Sequence, residues 1–265
     1  MGTVSSVLIT GTSKGIGLAT AVAVARAGHK VYATMRQPRR SPQLAEIATE
    51  EKLPIVISAM DVDSDYSVAA TLGALQREHG PLDVLVNNAG IARTGSIEEL
   101  EFSGFRAVME TNFFGPLRCI KAVLPQMRAA NNGCIINLSS VSGRIASSPF
   151  GAYAASKFAL EALSETLAQE VKTVNIRVVI VEPGIVDTSM PRAFSEQTHF
   201  SVYPHSRRMA DLFAASLRNS TNPTQVAEKI LAVIESDSGR LRHPMGHDAE
   251  PFLRWRRSLT DDQWV

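Results

Sequence analysis

Several features that mark other protein classes are scarce in this sequence. Only two of the 265 residues are cysteines, Cys119 and Cys134, and both lie inside apolar segments. A disulfide framework or a cysteine-based metal site is therefore not expected, and two buried free thiols fit a cytoplasmic location. The net charge is only +1. The chain thus has no basic field that would attract nucleic acid, so we expect no nucleic-acid partner.

Long apolar runs are also missing. No run approaches the roughly 18 residues that a membrane span requires, so none is expected. The first residues, MGTVSSVLIT, enter a strand pattern without the charged region that opens a signal peptide. The sequence has no internal repeat and no low-complexity linker. We therefore predict one domain over residues 1–265, with enough apolar residues for a substantial core.

What the sequence does contain is a regular alternation of short β-branched runs with helical patterns. The strand runs are continuously apolar, which is typical of parallel strands buried on both faces. The alternation predicts right-handed crossovers and a doubly wound α/β sheet. The predicted strands are 7–10, 31–35, 55–60, 84–86, 134–138, 176–181 and 242–245, and the predicted helices are 16–27, 43–51, 64–79, 97–112, 116–130, 152–171 and 224–235. Residues 190–219 have a less regular pattern.

A glycine-rich turn follows the first predicted strand. The residues TGTSKGIG, 10–17, run directly into the first helix with the spacing G-x-x-x-G-x-G. Glycines let a backbone turn tightly and approach a pyrophosphate, and a helix N-terminus offers free N–H groups with a positive dipole end. The placement of this turn favours nucleotide binding over a turn without a ligand.

Polar residues follow two further predicted strands. Asp61 and Val62 end the third strand, where a carboxylate can meet an adenine amino group or cap a helix. Asn88, Ala89 and Gly90 end the fourth strand. Small and polar residues at this edge suit a turn beneath a ligand, although asparagine-rich turns also occur without one.

The segment 139–157 carries the residues best suited to chemistry. Tyr153 and Lys157 are four residues apart, so they share one face of a predicted helix. A phenol with a pKa of about 10 is a poor base at neutral pH, and a nearby ammonium lowers that pKa. A hydroxyl from Ser140, at the end of the preceding strand, could orient a carbonyl oxygen beside the phenol. This set suits proton transfer to or from an alcohol or ketone oxygen.

Together these motifs closely resemble the short-chain dehydrogenase/reductase family. The motifs occur in the order TGTSKGIG, NNAG, Asn112, Ser140, Tyr153-x-x-x-Lys157, Pro183-Gly184 and Thr188. The resemblance covers nearly the whole chain, to about residue 245. It implies a single Rossmann-type domain with about seven parallel strands and a nicotinamide cofactor.

The resemblance also implies roles for individual residues. Tyr153 would be the acid/base, Lys157 would lower its pKa and hold the nicotinamide ribose, Ser140 would bind the substrate oxygen, and Asn112 would anchor a water that relays protons to Lys157. Asn88 and Gly90 would follow the adenosine and ribose. The remaining cofactor-binding residues are predicted to be Gly11, Ser13, Lys14, Gly15, Ile16, Gly17, Arg36, Asp61, Val62, Ala89, Pro183, Gly184, Ile185 and Thr188.

Charge at the end of the second predicted strand bears on which nicotinamide cofactor binds. Users of NAD place an acidic residue there to hold the ribose hydroxyls. Here the strand ends in Arg36, with Arg39 and Arg40 beyond it, and Lys14 lies in the glycine turn. An arginine can bind a 2′-phosphate in a forked geometry, and no carboxylate competes in this strand. We therefore predict NADP(H) over NAD(H).

The substrate is less clearly marked. The segments VYATMR and GRIASSPFGAYAASKFALEALSETL look most like family members that act on retinoids, hydroxysteroids and related lipophilic alcohols. A variable lid of about 189–222 offers the apolar residues Met190, Phe194, Phe200, Val202, Tyr203, Met209, Leu212 and Phe213. These side chains could line an apolar substrate site or simply pack a lid on the core. His199 and His205 lie in the same segment, where we predict no metal site.

Alternatives stay open at this point. Arg93, Arg144 and Arg192 could meet an anionic substrate such as a 3-oxoacyl thioester, or be surface charges. A catalytically idle dinucleotide-binding regulator is a further alternative, although such proteins typically lose the Tyr-Lys pair. The resemblance also implies a homodimer or homotetramer paired through the helix of Ala155, Ala159, Leu163 and Leu167. Residues 247–265 form a tail of unassigned role.

Overall fold

A computed structural model describes residues 4–196 and 201–264. Within these ranges seven strands form one parallel sheet in the order β3-β2-β1-β4-β5-β6-β7. The strands are β1 (Ser6–Thr10), β2 (Lys30–Met35), β3 (Ile55–Ala59), β4 (Val84–Asn87), β5 (Gly133–Leu138), β6 (Ile176–Pro183) and β7 (Arg242–Met245). The doubly wound Rossmann-type sheet predicted from the strand pattern is confirmed. His199 and Phe200, named above, lie outside the described residues.

Helices cover both faces of the sheet. Those before the substrate region are α1 (Gly15–Arg26), α2 (Gln43–Glu50), α3 (Asp65–His79), α4 (Phe102–Met109), α5 (Gly115–Ala130) and α6 (Gly151–Glu170). Those after it are α7 (Ser189–Ser195), α8 (His205–Leu217), α9 (Pro223–Glu235), α10 (Ala249–Arg257) and α11 (Asp261–Trp264). No helix in the described ranges is both long and apolar enough to cross a bilayer.

The core consists of two apolar layers, one on each face of the sheet. Ile9 of β1 packs with Val24 of α1 and Ile230 of α9, whereas the adjacent Leu8 packs in the opposite layer with Leu72 of α3 and Val123 of α5. Successive residues of a strand point to opposite faces, so a strand with both faces covered needs apolar residues at consecutive positions. This requirement explains the continuous apolar runs.

Strand β3 is an exception to the rule that every strand is buried on both faces. It lies at the edge of the sheet, pairs with β2, and leaves Val56 39% exposed. The expectation that all strands are fully covered is therefore wrong for β3. An edge strand has a neighbour on one side only. Ile55 and Ile57 pack on the same face as Leu44 of α2, so Val56 between them points to the other face of the sheet.

The predicted helix of residues 97–112 is shorter than expected at its start. The chain turns at residues 97–100, and α4 begins at Phe102. A π turn, Glu110–Phe114, then joins α4 to α5 without a break. Pro116 lies two residues into α5 and has no N–H to donate to the carbonyl of Asn112, four residues earlier. The lost α-helical bond explains why the helix widens at this point.

The irregular structure expected for residues 190–219 is also incorrect, because the described part of this segment contains α7 and α8. Pro191 lies in the first turn of α7, and Pro204 immediately precedes α8. The first N–H groups of a helix have no intrahelical acceptor, so proline is tolerated there. These prolines begin the lid helices instead of interrupting them.

The face of α6 that was expected to pair between subunits is divided between two environments. Leu163 and Leu167 pack against the core of their own chain. Ala155 is exposed, and Phe158 beside it is 43% exposed. Leu167 is therefore buried within its own chain, whereas Ala155 and Phe158 remain accessible, and the pairing of α6 between subunits stays a prediction.

Candidate active site

A pocket of about 860 Å³ runs along the carboxyl ends of the strands, where the strand order reverses between β1 and β4. Ligands of doubly wound sheets bind at such switch points. Apart from Asn112, every residue predicted to bind cofactor or act in catalysis lines this pocket. The pocket extends from Arg36 at one end to Trp264 at the other.

The glycine turn is shaped by close approaches of the backbone. Gly11 has φ +72°, and a Cβ there would lie 2.7 Å from the Cα of Ala89. A Cβ at Gly17 would overlap the Asn88 side chain and the carbonyl of Gly11. Helix α1 begins at Gly15, and the N-cap residue Lys14 provides no side-chain cap. The first N–H groups of α1 therefore face the pocket uncapped, as a phosphate-binding helix end requires.

Asn88 supports this turn from the neighbouring strand. Its side-chain amide donates to the carbonyls of Thr10, at 2.7 Å, and Gly11, at 3.0 Å. The Thr10 hydroxyl in turn accepts from the backbone N–H groups of Asn88 and Ala89, both at 3.0 Å. The two motifs that were separate in the sequence thus form one hydrogen-bonded unit.

A carboxylate that the sequence reasoning missed lies at the Arg36 end. The Asp63 side chain lines the pocket, accepts a 3.0 Å hydrogen bond from Thr111, and has a buried Oδ1 without a partner among the described residues. Burial raises the pKa of Asp63, as does nearby Asp61, whereas Thr111 and Arg36 oppose the rise. Asp63 comes from the loop after β3 and not from β2, so it places near Arg36 a carboxylate that the reasoning from β2 did not include.

The predicted catalytic side chains meet where α6 crosses the end of β5. Helix α6 carries half-buried Tyr153 and buried Lys157, and the Ser140 hydroxyl hydrogen-bonds the phenol. Lys157 Nζ lies 5.7 Å from the centroid of the Tyr153 ring and donates to the carbonyl of Leu138 at 2.7 Å. Ser140 Oγ also accepts from Ser142 N at 3.1 Å, which fixes its direction.

The pKa of Tyr153 differs from the expectation. Burial raises it to about 12, and the hydrogen bond from Ser140 only partly opposes this rise. Burial lowers the pKa of Lys157 to about 8, while Glu161 one turn further along α6 opposes that change. The side chains by themselves therefore keep the phenol protonated, which suits a proton donor better than a base.

Asn112 lies beneath the pocket and not in its wall. Its amide donates to the Ile91 carbonyl at 2.8 Å and to Ser156 Oγ at 3.0 Å, and its Oδ1 accepts from Ile91 N at 2.9 Å. These bonds use both amide protons, so the side chain fixes the Asn88–Ile91 loop against α6. The predicted water relay would have to use the main-chain carbonyl of Asn112. That carbonyl receives no α-helical hydrogen bond, because Pro116, four residues later, has no N–H.

The far half of the pocket is aromatic and comes from three separate segments. Phe150, Phe194 and Phe213 pack with ring centroids 5.0–5.8 Å apart. Met190, Met209 and Leu212 of the lid also line the pocket, whereas Val202 is 81% exposed and Tyr203 turns outward to bond Glu98. The lid prediction therefore holds for part of the segment only.

The tail supplies the outer wall, which the sequence reasoning left without a role. Phe252, Trp255 and Trp264 line the pocket. The two indoles stack edge to face at 5.2 Å, and Trp264 Nε1 donates to the carbonyl of Ala146 at 3.0 Å. The amphipathic pattern of 249–257 was the signal that could have indicated this wall.

Two of the three arginines considered for an anionic substrate are neutralised within the chain. Arg144 pairs with buried Glu182 at 3.2 Å, and Arg192 pairs with Asp187 at 2.6 Å. Arg93 lines the pocket and is exposed. The walls beyond Tyr153 are accordingly more apolar than cationic.

Comparison with known proteins agrees with this geometry. The family model described as short chain dehydrogenase matches residues 5–199. Retinol dehydrogenase 8 of Bos taurus is 38% identical over 263 residues, which cover 94% of this chain and 83% of that protein. A short-chain dehydrogenase from Streptomyces avermitilis has the same fold, with a TM-score of 0.84, 32% identity and coverage of 97% and 93%.

A further solved structure bears on the cofactor. A metagenomic short-chain oxidoreductase, solved in complex with NADP, superposes with a TM-score of 0.74 at 25% identity, covering 91% of this chain and 97% of that one. Together with the glycine turn and the Tyr-Ser-Lys cluster, these relatives show an oxidoreductase that uses a nicotinamide dinucleotide. The chain belongs to the short-chain dehydrogenase/reductase family.

Proposed function

We propose that the protein is an NADP(H)-dependent reductase or dehydrogenase that interconverts lipophilic carbonyl compounds and alcohols. The observation that carries this proposal is the position of Tyr153 and Ser140. The polar half of the pocket, from Arg36 to Gly90, follows the ends of β2, β1 and β4, and Ser140 follows the adjacent β5. Both hydroxyls share the pocket with the aromatic half, from Phe150 to Trp264. A substrate oxygen placed beside both hydroxyls would have a nucleotide on one side and apolar walls on the other.

The residues of the polar half fit a nicotinamide dinucleotide. The uncapped start of α1 and the close-packed glycine turn suit a pyrophosphate. Asp61 suits the adenine amino group, and exposed Arg36 and Lys14 suit a 2′-phosphate. On the opposite wall, Thr188 Cγ2 would lie 3.2 Å from a Cβ at Gly15, so the Pro183–Thr188 loop reaches across toward the glycine turn.

When bound, the cofactor supplies or accepts the hydride at the substrate carbon. The chain's own residues handle the proton. The Tyr153 hydroxyl holds the proton that is transferred to the substrate oxygen, and the Ser140 hydroxyl orients that oxygen. Lys157 stabilises the phenolate that results, because an ammonium favours a nearby negative charge. Reprotonation from solvent through Lys157 and the Asn112 carbonyl stays a prediction.

The substrate class follows from the far half of the pocket. Four phenylalanines and two tryptophans provide a wide apolar wall, which suits a large hydrocarbon skeleton. The name of retinol dehydrogenase 8, which is 38% identical to this chain, states a substrate of that kind, retinol. Because Arg144 and Arg192 are paired, an anionic substrate would depend on Arg93.

A substrate panel tests this proposal. The purified protein is mixed with NADPH, or with NADH, and with a retinoid aldehyde, a ketosteroid or a 3-oxoacyl thioester, and the loss of absorbance at 340 nm is followed. We expect turnover with NADPH and the two lipophilic carbonyls. Faster turnover of the thioester, lost in Arg93→Ala, would contradict the lipophilic class and support the anionic one.

The homo-oligomer and the cytoplasmic location stay predictions. Light scattering at micromolar concentration checks the first, because a particle of 28.7 kDa would be a monomer.

A further inference from the structure

Asp248 lies in the tail, beyond the residues that the family model matches. It directly precedes α10, a position where an aspartate is expected to cap the helix. The structure shows no side-chain cap bond from Asp248 to α10. Instead, its Oδ2 accepts a 2.8 Å hydrogen bond from the backbone N–H of Ile185, 63 residues earlier in the chain.

The backbone around this carboxylate is built to admit it. A Cβ at Gly184 would overlap the carboxylate, lying 2.7 Å from Oδ2 and closer to Oδ1. Gly246, with φ +99°, would place a Cβ 3.0 Å from Oδ1. Both glycines therefore leave the space that the Asp248 side chain occupies. For Gly184 this gives a steric reason for glycine in the Pro183-Gly184 motif.

The Asp248 carboxylate binds near the start of the Pro183–Thr188 loop, which is also held by several main-chain hydrogen bonds. Gly184 N donates to the carbonyl of Met245 at 3.0 Å. Thr221 N donates to the Ile185 carbonyl at 3.2 Å, and Asp187 N donates to the Thr221 carbonyl at 2.9 Å. Asp248 adds the bond to Ile185 N. Its Oδ1 is buried and without a hydrogen-bond partner in the described part of the chain.

We propose that Asp248 is a positioning residue that holds the Pro183–Thr188 loop against the nicotinamide end of the pocket. The same residue begins α10, whose Phe252 and Trp255 line the substrate half. Asp248 thereby links the loop beside the cofactor to the wall beside the substrate. The inference rests on the proposed use of a nicotinamide dinucleotide and adds a residue to it.

The test compares a whole cofactor with a fragment that reaches only the adenosine end. NADPH binding is measured by its fluorescence, and binding of adenosine 2′,5′-bisphosphate by calorimetry. In Asp248→Ala we expect NADPH to bind roughly 10-fold more weakly, the effect of one charge-assisted hydrogen bond, with the bisphosphate unchanged. Asp248→Asn retains an acceptor oxygen and should bind NADPH within about 3-fold of wild type.

Glu250→Ala is the matched control, because it also removes an acidic residue at the start of α10, where Glu250 pairs with Arg257. It should leave both affinities unchanged. Equal weakening of both ligands in Asp248→Ala, or no change in NADPH affinity, would overturn the inference. A wild-type protein that binds neither ligand would refute the proposed function itself, so the two failures are distinguishable.

A second measurement uses the steric contact. Gly184→Ala should weaken NADPH but not the bisphosphate, and this holds even if Asp248→Ala does not fold. In the double variant, which combines Gly184→Ala with Asp248→Ala, the added methyl no longer meets a carboxylate. Its loss of NADPH affinity should therefore be smaller than the product of the two single losses. Strictly multiplicative losses would contradict the proposed contact.

Discussion

The two ends of the pocket are constructed in different ways. The nucleotide end consists of short turns of consecutive residues, 11–17 and 88–90, each at the end of a strand. The substrate end combines side chains from α6, the lid and the tail, and one of its bonds, from Trp264 to Ala146, joins residues 118 positions apart. Local turns can be recognised from neighbouring letters of a sequence, whereas long-range walls cannot. This contrast explains why the sequence indicates the type of reaction more clearly than the substrate.

The two ends also differ in their electrostatics. Arg36 and Lys14 are exposed at the nucleotide end, and Asp61 and Asp63 line the same pocket, with Asp63 near Arg36. The substrate end is aromatic, with two indoles and four phenyl rings. The effects of substitutions at the nucleotide end should therefore depend on charge and salt concentration. The effects of substitutions at the substrate end should depend on the apolar area that is removed. Four predictions test this division, beginning with the junction between the ends.

The largest effect is expected at the junction. Tyr153→Phe should lower kcat by about 10²–10⁴-fold, because the proton donor is lost while the ring remains. NADPH affinity, measured by fluorescence titration, should be unchanged. Tyr203→Phe serves as control, since Tyr203 bonds Glu98 outside the pocket. A near wild-type kcat in Tyr153→Phe would contradict the assignment.

Charge at the nucleotide end should give the next largest effect. Arg36 and Lys14 are both exposed, so each is expected to contribute about 1.5 kcal/mol, the lower end for charge-assisted bonds. The wild type should then prefer NADPH over NADH by roughly 10²-fold in kcat/KM, less at high salt. Lys14→Ala should weaken NADPH with little effect on NADH.

Arg36→Asp should shrink or invert this preference, because the new carboxylate repels the phosphate and can accept ribose hydroxyls. Asp63→Asn should increase the preference, since it removes the acid beside Arg36. Arg39→Asp is the control, as Arg39 is exposed nearby but does not line the pocket. Equal use of both cofactors by the wild type would contradict the charge argument.

A smaller effect is expected at the substrate end. Trp264→Ala should raise KM for a lipophilic carbonyl by about 3–10-fold, the value of an edge-to-face aromatic pair, and leave NADPH affinity unchanged. Trp255 and Trp264 are the chain's two tryptophans, so a bound substrate should change the intrinsic fluorescence. Tyr66→Ala, which removes an 83% exposed ring on α3, is the control. An unchanged KM in Trp264→Ala would show that the tail does not contribute to the substrate wall.

The smallest effect should be a shift in the pH dependence of reduction. Burial lowers the pKa of Lys157 to about 8, so kcat/KM for reduction should fall above pH 8 as the ammonium is lost. Glu161 raises the pKa of Lys157, so Glu161→Gln should move this descending limb to lower pH. Glu165→Gln, which also faces Arg242 but is half exposed, should leave the limb in place. A shift to higher pH would contradict the assigned sign.

The sequence predicted the fold and the position of most site residues because both depend on local patterns. Continuous apolar runs indicated buried parallel strands, and the glycine turn indicated the start of α1. Tyr153 and Lys157 share a helix face because they are four residues apart. The sequence could not show that burial dominates the pKa of Tyr153, since desolvation depends on everything packed around the phenol.

The sequence by itself therefore determined the sheet, the glycine turn and the grouping of Ser140, Tyr153 and Lys157. Tertiary structure decided the features that join distant segments. Asp63 meets Arg36 only because β3 lies beside β2, and Asp248 binds Ile185 only because β7 lies beside β6. An aspartate before a helix has the same local pattern whether it caps that helix or reaches another loop. Only the packing of the two segments distinguishes these outcomes.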